Sequence, residues 1–372
     1  MPQTNRVHCI SPPLSIQQTF ANIAPKQQDL KKLNIVHVAG TKGKGSTCAY
    51  VSSILSQYRA SHDLPHSIGL FTSPHLIAVR ERIRLNSTPI SAPLFAKYFF
   101  EVWDRLSAAP AQTSKPVYFR YLTLMSYHAF IQEKVDVAIY EVGVGGEYDA
   151  TNIVDRPAVT GISTLGIDHT FYLGETIDKI AWHKAGIQKP NVPSFTVRQV
   201  PAAMEVIKKR AEETKVRYLH VVDVDPRLEG VKIRPDAAFQ KGNASLALAL
   251  AETVLGKLDE NFISSRNSLP KEFVDGLEQV VWRGRCEMKV GGDITWYLDG
   301  AHTADSIVVA AKWFGDESSK KYIFFSFLFI QRRLLTTASD PAPEFSSSTN
   351  KATANQFRSS KNSSKPSPHK AS

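Results

Sequence analysis

The stretch VHVAGTKGKGSTCAYV, residues 36–51, decides the fold. It opens on an apolar, β-branched run and passes through Gly40, Gly43 and Gly45, with Lys42 and Lys44 between them. It ends in a segment that sets Cys48, Val51, Ile54 and Leu55 at helical spacing. The glycines remove side chains where backbone N–H groups can close around a polyanion, and the lysines bring positive charge to the same few ångströms. The pattern predicts a buried strand over 34–39, a phosphate loop and a helix, with a triphosphate as guest. The usual Walker A loop has four residues between its first glycine and the Gly-Lys pair, whereas here Gly40 and Gly43-Lys44 enclose only Thr41 and Lys42. A lysine-rich surface turn is therefore a competing reading of the loop taken alone.

Outward from this loop, short β-branched runs alternate with helical periodicity. That is the signature of an α/β fold with a central parallel sheet covered by helices. A helix is predicted over 119–132, with Leu122, Met125, Ala129 and Phe130 on its inner side, followed by the strand VDVAIYEV at 135–142. A third unit runs from AVTGISTLG (158–166) into a helix at 176–185, and further elements are predicted at 193–197, 201–214, 218–222 and 243–257. The strand ITWYLD, the helix-like ADSIVVAAKWF and the apolar YIFFSFLFI begin a second α/β unit. Residues 336–372 hold ten serines among thirty-seven residues and hardly an apolar one, too little to offset chain entropy. The expected organisation is a variable segment 1–32, an ATP-binding domain 33–284, an incomplete second domain 285–330 and a disordered tail 331–372.

The bulk numbers suit this picture. The chain has 372 residues, 42% hydrophobic and 22% charged, enough for two domains with a sizeable core. Of the net charge of +10, residues 331–372 carry seven Lys/Arg against two Asp/Glu, so half of the excess sits in the tail. The remainder suits anionic small substrates as well as a phosphate backbone, and without an aromatic and basic stripe nucleic acid is not an expected partner. Cys9, Cys48 and Cys286 have no metal-ligand spacing and imply free thiols in a reducing compartment. No apolar run is long enough to span a membrane, so a monomeric cytoplasmic protein is expected, with the acid-free start leaving a mitochondrial address open.

The chemistry-bearing residues fall at strand ends. Glu141 closes a strand apolar enough to be central, at the edge where open α/β sheets bind ligands. A buried carboxylate there needs a partner such as a metal ion; a helix cap or a surface lysine is the alternative. Asp168 and His169 follow the next strand and would add cation ligands or merely hydrogen-bond locally. Lys184 lies at i+7 from Ile177 and i+4 from Ile180, on the apolar face of its helix. Such a lysine snorkels outward, is neutralised in a site of opposite charge, or becomes an anion by carbamylation. Asn243, Arg283, Arg285, Asp299 and His302 are polar residues beside helix or strand ends that would surround a nucleotide lying between two domains.

Six ordered motifs, HVAGTKGKGST, GLFTSPHLIAVRERIRLN, EVGVGGEYDATN, GIDHTFYLGETIDKIAWHKAGI, RGRCE and LDGAHTADS, resemble those of the folylpolyglutamate synthases of the Mur ligase superfamily, most closely the eukaryotic ones. The resemblance covers about residues 33–325. It implies that Gly43, Lys44, Gly45 and Ser46 bind the β- and γ-phosphates of ATP, and that Ser73, Glu141 and His169 are Mg²⁺ ligands. Lys184 would hold a second Mg²⁺ as a carbamate, with room for a monovalent cation. Asn243, Arg285, Asp299 and His302 would contact the nucleotide, with Lys44, Lys184 and His302 serving catalysis. The implied substrates are ATP, a reduced folate and L-glutamate, joined through an acyl phosphate.

The resemblance weakens after about Phe325, where SFLFIQRRLLTTASDPAPEF and the serine-rich tail match nothing in the family, and before 33. Two other functions fit the same motifs: a non-catalytic nucleotide-binding remnant, and a paralogue joining an amino acid to a different carboxylic acid. The sibling activity on dihydropteroate shares the ATP machinery, but the SPHL…VRERIR wording resembles the polyglutamylating branch.

Overall fold

The computed structural model describes residues 26–108, 115–301, 303 and 306–320. The chain divides into two compact units, Met1–Phe314 and Gly315–Ser372. In the second, the described residues 315–320 are helical; everything below concerns the first.

A short helix α1 (Gln27–Lys32) leads into strand β1 (Val36–Ala39) and, across the glycine loop, into helix α2 (Lys44–His62). Strand β2 (Ile68–Phe71) is followed by the strands β3 (Ile83–Leu85) and β4 (Thr88–Pro89), then by helices α3 (Ala92–Ser107) and α4 (Tyr118–Gln132). Next come β5 (Val137–Glu141), β6 (Val159–Ile162), a one-turn helix α5 (Thr170–Leu173), α6 (Ile177–Ala185), β7 (Pro193–Val197), α7 (Pro201–Thr214) and β8 (Tyr218–Val222). Helices α8 (Ala238–Leu258) and α9 (Lys271–Glu278) precede the hairpin strands β9 (Glu287–Gly291) and β10 (Ile294–Leu298). A last helix, α10, begins at 306.

The main sheet has eight strands in the order β4-β3-β2-β5-β1-β6-β7-β8. From β2 to β8 all pairings are parallel, while β3 and β4 are added antiparallel at one edge. β1, β2, β5, β6 and β7 are buried along their whole length, the reason none of them alternates apolar with charged residues. Successive residues of β5 enter opposite cores: Val137 and Ile139 pack with α2, α8 and α9, whereas Ala138 and Tyr140 pack with α3 and α4. A third cluster joins Ala39 and Ile162 to α6 and α7.

The chain leaves β1 towards β2 and β5 and returns to β6 on its other side, so the strand order reverses at β1. Val38 pairs with Glu141 and Ala39 with Ile162, which brings the C-terminal ends of β5, β1 and β6 to one level. Ligands of doubly wound sheets sit in the crevice at such a reversal.

Several expected boundaries move. The strand predicted over 158–166 ends at Ile162, because residues 163–166 turn back to tie down the glycine loop. The helix predicted from 243 begins at Ala238, so Asn243 lies within it and not beside its end. Helix α1 falls inside the segment expected to be variable. YIFFSFLFI and the serine-rich tail lie outside the described residues.

Candidate functional site

The glycine loop is clamped from below by the end of β6. The N–H groups of Thr41 and Lys42 both donate to the Thr164 carbonyl, at 2.9 and 3.0 Å, and the Ser163 hydroxyl donates to the Lys42 carbonyl at 2.7 Å. Two of the glycines are there because nothing larger fits. Gly40 has φ +150°, and a Cβ on it would fall 1.9 Å from Ser163 Oγ; Gly43 has φ +82°, and a Cβ on it would fall 2.1 Å from Asn243 Oδ1. Gly43 ends the loop as the N-cap of α2 with no side chain capping the helix. The first amides of a nineteen-residue helix therefore point into the crevice with the positive end of its dipole.

Glu141, Lys44 and Lys184 gather around this helix end. Glu141 is 5% exposed, and its Oε2 accepts the Ser73 N–H at 2.9 Å. Burial pushes its carboxyl above the usual range, while Lys44 and the Ser73 amide, then Arg285 and Arg82, pull it back. Lys184 is 2% exposed, so it does not snorkel; its amine donates to the Gly40 carbonyl at 2.8 Å and thereby grips the start of the loop. Burial, reinforced by the neighbouring Lys44, lowers its pKa to about 7 against the pull of Asp168 and Asp149. Burial thus favours the neutral, nucleophilic form of the amine, the state that carbamylation requires.

The residues expected beside a nucleotide are placed as follows. Asn243 is buried, donates to Gln240 Oε1 at 2.8 Å and turns its own oxygen to Gly43. Arg285 and Asp299 meet in one turn: the Arg285 guanidinium donates to Gly284 O, Gly284 O also accepts the Gly300 N–H, and Asp299 accepts the amides of Cys286 and Ala301. Lys42 reaches this region too, donating to Thr303 Oγ1 at 2.6 Å. Arg283 is exposed beside the same turn. His302 lies outside the described residues. Between α2, α8 and this turn is a cavity of about 160 Å³, lined among others by Ser46, Tyr50, Gln240, Trp282 and Arg285. A larger cavity, of about 520 Å³, lies between α6 and α7 beside Trp182 and Arg210, and no residue of the glycine loop lines it.

The fit to magnesium rests on Glu141. One of its oxygens is committed to a single backbone amide, and the other faces Gly45 at the mouth of the loop. A buried carboxylate so placed suits an ion that Mg²⁺ sites usually share between one or two carboxylates and substrate phosphates. No group of three His, Cys, Asp or Glu placed to hold a metal occurs among the described residues. His169 is exposed at the start of α5, with its own N–H on Asp168 Oδ1 at 2.8 Å.

Sequence reasoning missed a supporting network. Asp149 is buried and accepts from Val144 N and from both the N–H and hydroxyl of Thr151, holding the glycine-rich turn after Glu141. Because the Thr151 hydroxyl proton goes to Asp149, the His37 Nε2 contact to Thr151 Oγ1 at 2.8 Å has the imidazole as donor. Burial, with Lys189 nearby, lowers the His37 pKa to about 3, so the ring is neutral. The signal was a lone histidine in an otherwise apolar strand.

Known proteins can now be set beside this geometry. The folylpolyglutamate synthase of Neurospora crassa is 64% identical over 308 residues, 81% of this chain and 58% of that protein. That of Saccharomyces cerevisiae is 49% identical over 331 residues, 84% of this chain and 60% of its own length. Over that span the chain is similar to the folylpolyglutamate synthases. It spans about three fifths of the length of these curated relatives. Among solved structures, the apo form of L. casei FPGS matches with a TM-score of 0.70 at 26% identity, covering 82% of this chain and 77% of that one. An FPGS-AMPPCP-folate complex matches with a TM-score of 0.68 at 26% identity, covering 84% and 77%. The Mycobacterium tuberculosis enzyme complexed with ADP matches with 0.65 at 27%, covering 81% and 69%. No family model matches the chain. The α/β fold with its mostly parallel eight-stranded sheet is thus the fold of the folylpolyglutamate synthases.

Proposed function

We propose that the chain is an ATP-dependent ligase that adds L-glutamate to the terminal glutamate carboxylate of a reduced folate. The observation that carries this reading is the meeting of an uncapped helix N-terminus, Lys44, buried Glu141 and buried Lys184 at the reversal point of the sheet. Its likeness to proteins solved with AMPPCP, ADP and folate supports the same reading.

The acceptor carboxylate attacks the γ-phosphorus, ADP departs, and the α-amine of glutamate displaces phosphate from the acyl phosphate, losing one proton as the amide forms. Lys44 and the first amides of α2 receive the β- and γ-phosphates, and Lys44 counters the charge that grows as the phosphoryl group moves. Gly40, Gly43 and Gly45 let the backbone approach. Lys184 fixes the loop through Gly40, and Ser73 orients Glu141. Asn243, beside Gly43, and Arg285 and Asp299, in their shared turn, contact the nucleotide, and the family resemblance adds His302. Bound Mg²⁺ would screen the repulsion between three anionic groups, held by Glu141 and Ser73, with His169 as the remaining family ligand and carbamylated Lys184 for a second ion. Residues 33–284 form the ATP-binding domain in this reading, and 285–330 open the second ligase domain.

The test is ATP-dependent incorporation of labelled glutamate into tetrahydrofolate by the purified chain, with ADP binding measured in parallel. Incorporation is expected. Binding without incorporation into tetrahydrofolate or any other acid overturns the ligase reading and leaves a nucleotide-binding protein.

A further inference from the structure

The glycine loop rests on residues 163–166, and a side chain from the far side of the sheet holds those residues in turn. β6 and β7 stop pairing at Ile162, opposite Thr196. Beyond that point Gln199, two residues after β7 ends, takes over the role of a neighbouring strand. Its Oε1 accepts the Leu165 N–H at 3.0 Å, and its Nε2 donates to the Ser163 carbonyl at 3.0 Å and to Thr196 Oγ1 at 3.2 Å. These backbone partners fix the amide's orientation, since an N–H must meet an acceptor and a carbonyl a donor.

The Leu165 N–H and the Thr164 carbonyl belong to one planar trans peptide and therefore point in opposite directions. Gln199 holds the N–H end. The carbonyl end receives the N–H groups of Thr41 and Lys42, at 2.9 and 3.0 Å. The Thr41 hydroxyl also donates to the Gly166 carbonyl and accepts the Gly166 N–H, both at 3.1 Å, so the loop takes its position from this segment. The Leu165 side chain is buried against the third apolar cluster, which means that losing the amide would loosen the segment without releasing it.

We infer that Gln199 is a positioning residue for phosphate binding, acting on the glycine loop through the Thr164–Leu165 peptide. The inference rests on the ATP-dependent reading above and adds what holds its phosphate loop in place. A loop fixed before its ligand arrives loses less of its binding free energy to ordering.

The test compares the whole chain with two variants. Gln199→Met keeps the length of the side chain and removes its polar groups, and Gln199→Ala removes the bulk as well. ADP and inorganic tripolyphosphate are titrated separately, well below the melting temperature, where a change in stability alone leaves the affinity of the folded chain unmoved. Amide exchange at Thr41 and Lys42 is followed in the ligand-free chain, with Tyr140 in the central strand β5 as reference. Both variants are expected to bind both ligands roughly 3- to 10-fold more weakly, the worth of one hydrogen bond, and by the same factor for each ligand. Exchange at Thr41 and Lys42 should quicken by a larger factor than at Tyr140. Unchanged affinities, or a loss for ADP alone, overturn the inference. So does equal quickening at Tyr140, or loss of the folded circular dichroism spectrum in both variants, because Gln199 would then support the sheet at large. If the parent chain binds neither ligand, the ATP-dependent reading falls and takes the inference with it.

Discussion

The glycine-loop edge of the main sheet and the β9–β10 hairpin are both built from strands, yet they treat their side chains in opposite ways. At the first, every residue of β1, β5 and β6 is buried, and polar groups there survive only by being gripped: Lys184 by Gly40, Glu141 by Ser73, His37 by Thr151. At the second, Val290, Ile294 and Trp296 are all more than half exposed, and the burial pattern shows no fully covered position. The difference is one of tolerance. Where every neighbour is fixed, one added or missing atom is felt; where neighbours are absent, it is not.

The largest effect is expected from Lys44→Ala. On the proposed role of Lys44 as the cation facing the phosphates, its removal should lower ATP affinity or turnover about 100-fold or more, with an unchanged circular dichroism spectrum. Loss of the folded spectrum would mean that the lysine belongs to the scaffold and not to the site.

A matched glycine pair then sharpens the contrast. Gly43→Ala must accept φ +82° and a Cβ 2.1 Å from Asn243 Oδ1, and should cost about 1–3 kcal/mol in urea denaturation together with most nucleotide binding. Gly291→Ala meets nothing within 4 Å and should change stability by less than about 0.5 kcal/mol. Equal costs would break the comparison.

What the sequence made legible follows the same division. Short β-branched or aromatic runs between helical segments announce strands, so 193–197 and 218–222 were readable to the residue although the first is buried throughout and the second is half exposed, and the glycine loop pointed to the candidate site. The β3 and β4 strands, three and two residues long, were not legible, because an edge strand with one covered face leaves too short a pattern. Lys184 was readable as buried from its helix face, but its partner Gly40 is 144 positions away, and no local pattern reports such a contact. The orphan hydroxyl of Tyr50 was equally invisible. Among apolar helix residues a tyrosine reads as core, and only the packed structure shows that its oxygen has no partner among the described residues.

The buried edge should also betray itself through pH. His37 has a pKa of about 3 in the fold against 6.5 when exposed, so the unfolded chain binds a proton that the folded chain refuses anywhere between these values. Its contribution is fully present above pH 6.5 and is lost as pH falls towards 3. The loss between pH 7 and 5 should be about 2 kcal/mol, since the slope reaches 1.36 kcal/mol per pH unit once the unfolded histidine is protonated. Glu141 and Asp149, whose carboxyls are pushed up by burial, oppose this by favouring the fold when protonated, so the total slope does not isolate the histidine. The difference between the parent chain and His37→Gln does, because glutamine can still donate to Thr151 but does not titrate. Unfolding free energies from urea denaturation at pH 7 and pH 5 should differ less in the variant by that amount.

The smallest effect is expected where the hairpin is most apolar. Trp296→Ser should leave the stability of the main sheet within about 0.5 kcal/mol, since the indole is 56% exposed and has little burial to lose. Its benefit should appear in solubility, because an exposed tryptophan between Ile294 and Leu298 presents an apolar row to other molecules. A stability loss of 2 kcal/mol or more would show that a neighbour covers this face in solution, and would move the hairpin to the tightly packed side of the comparison.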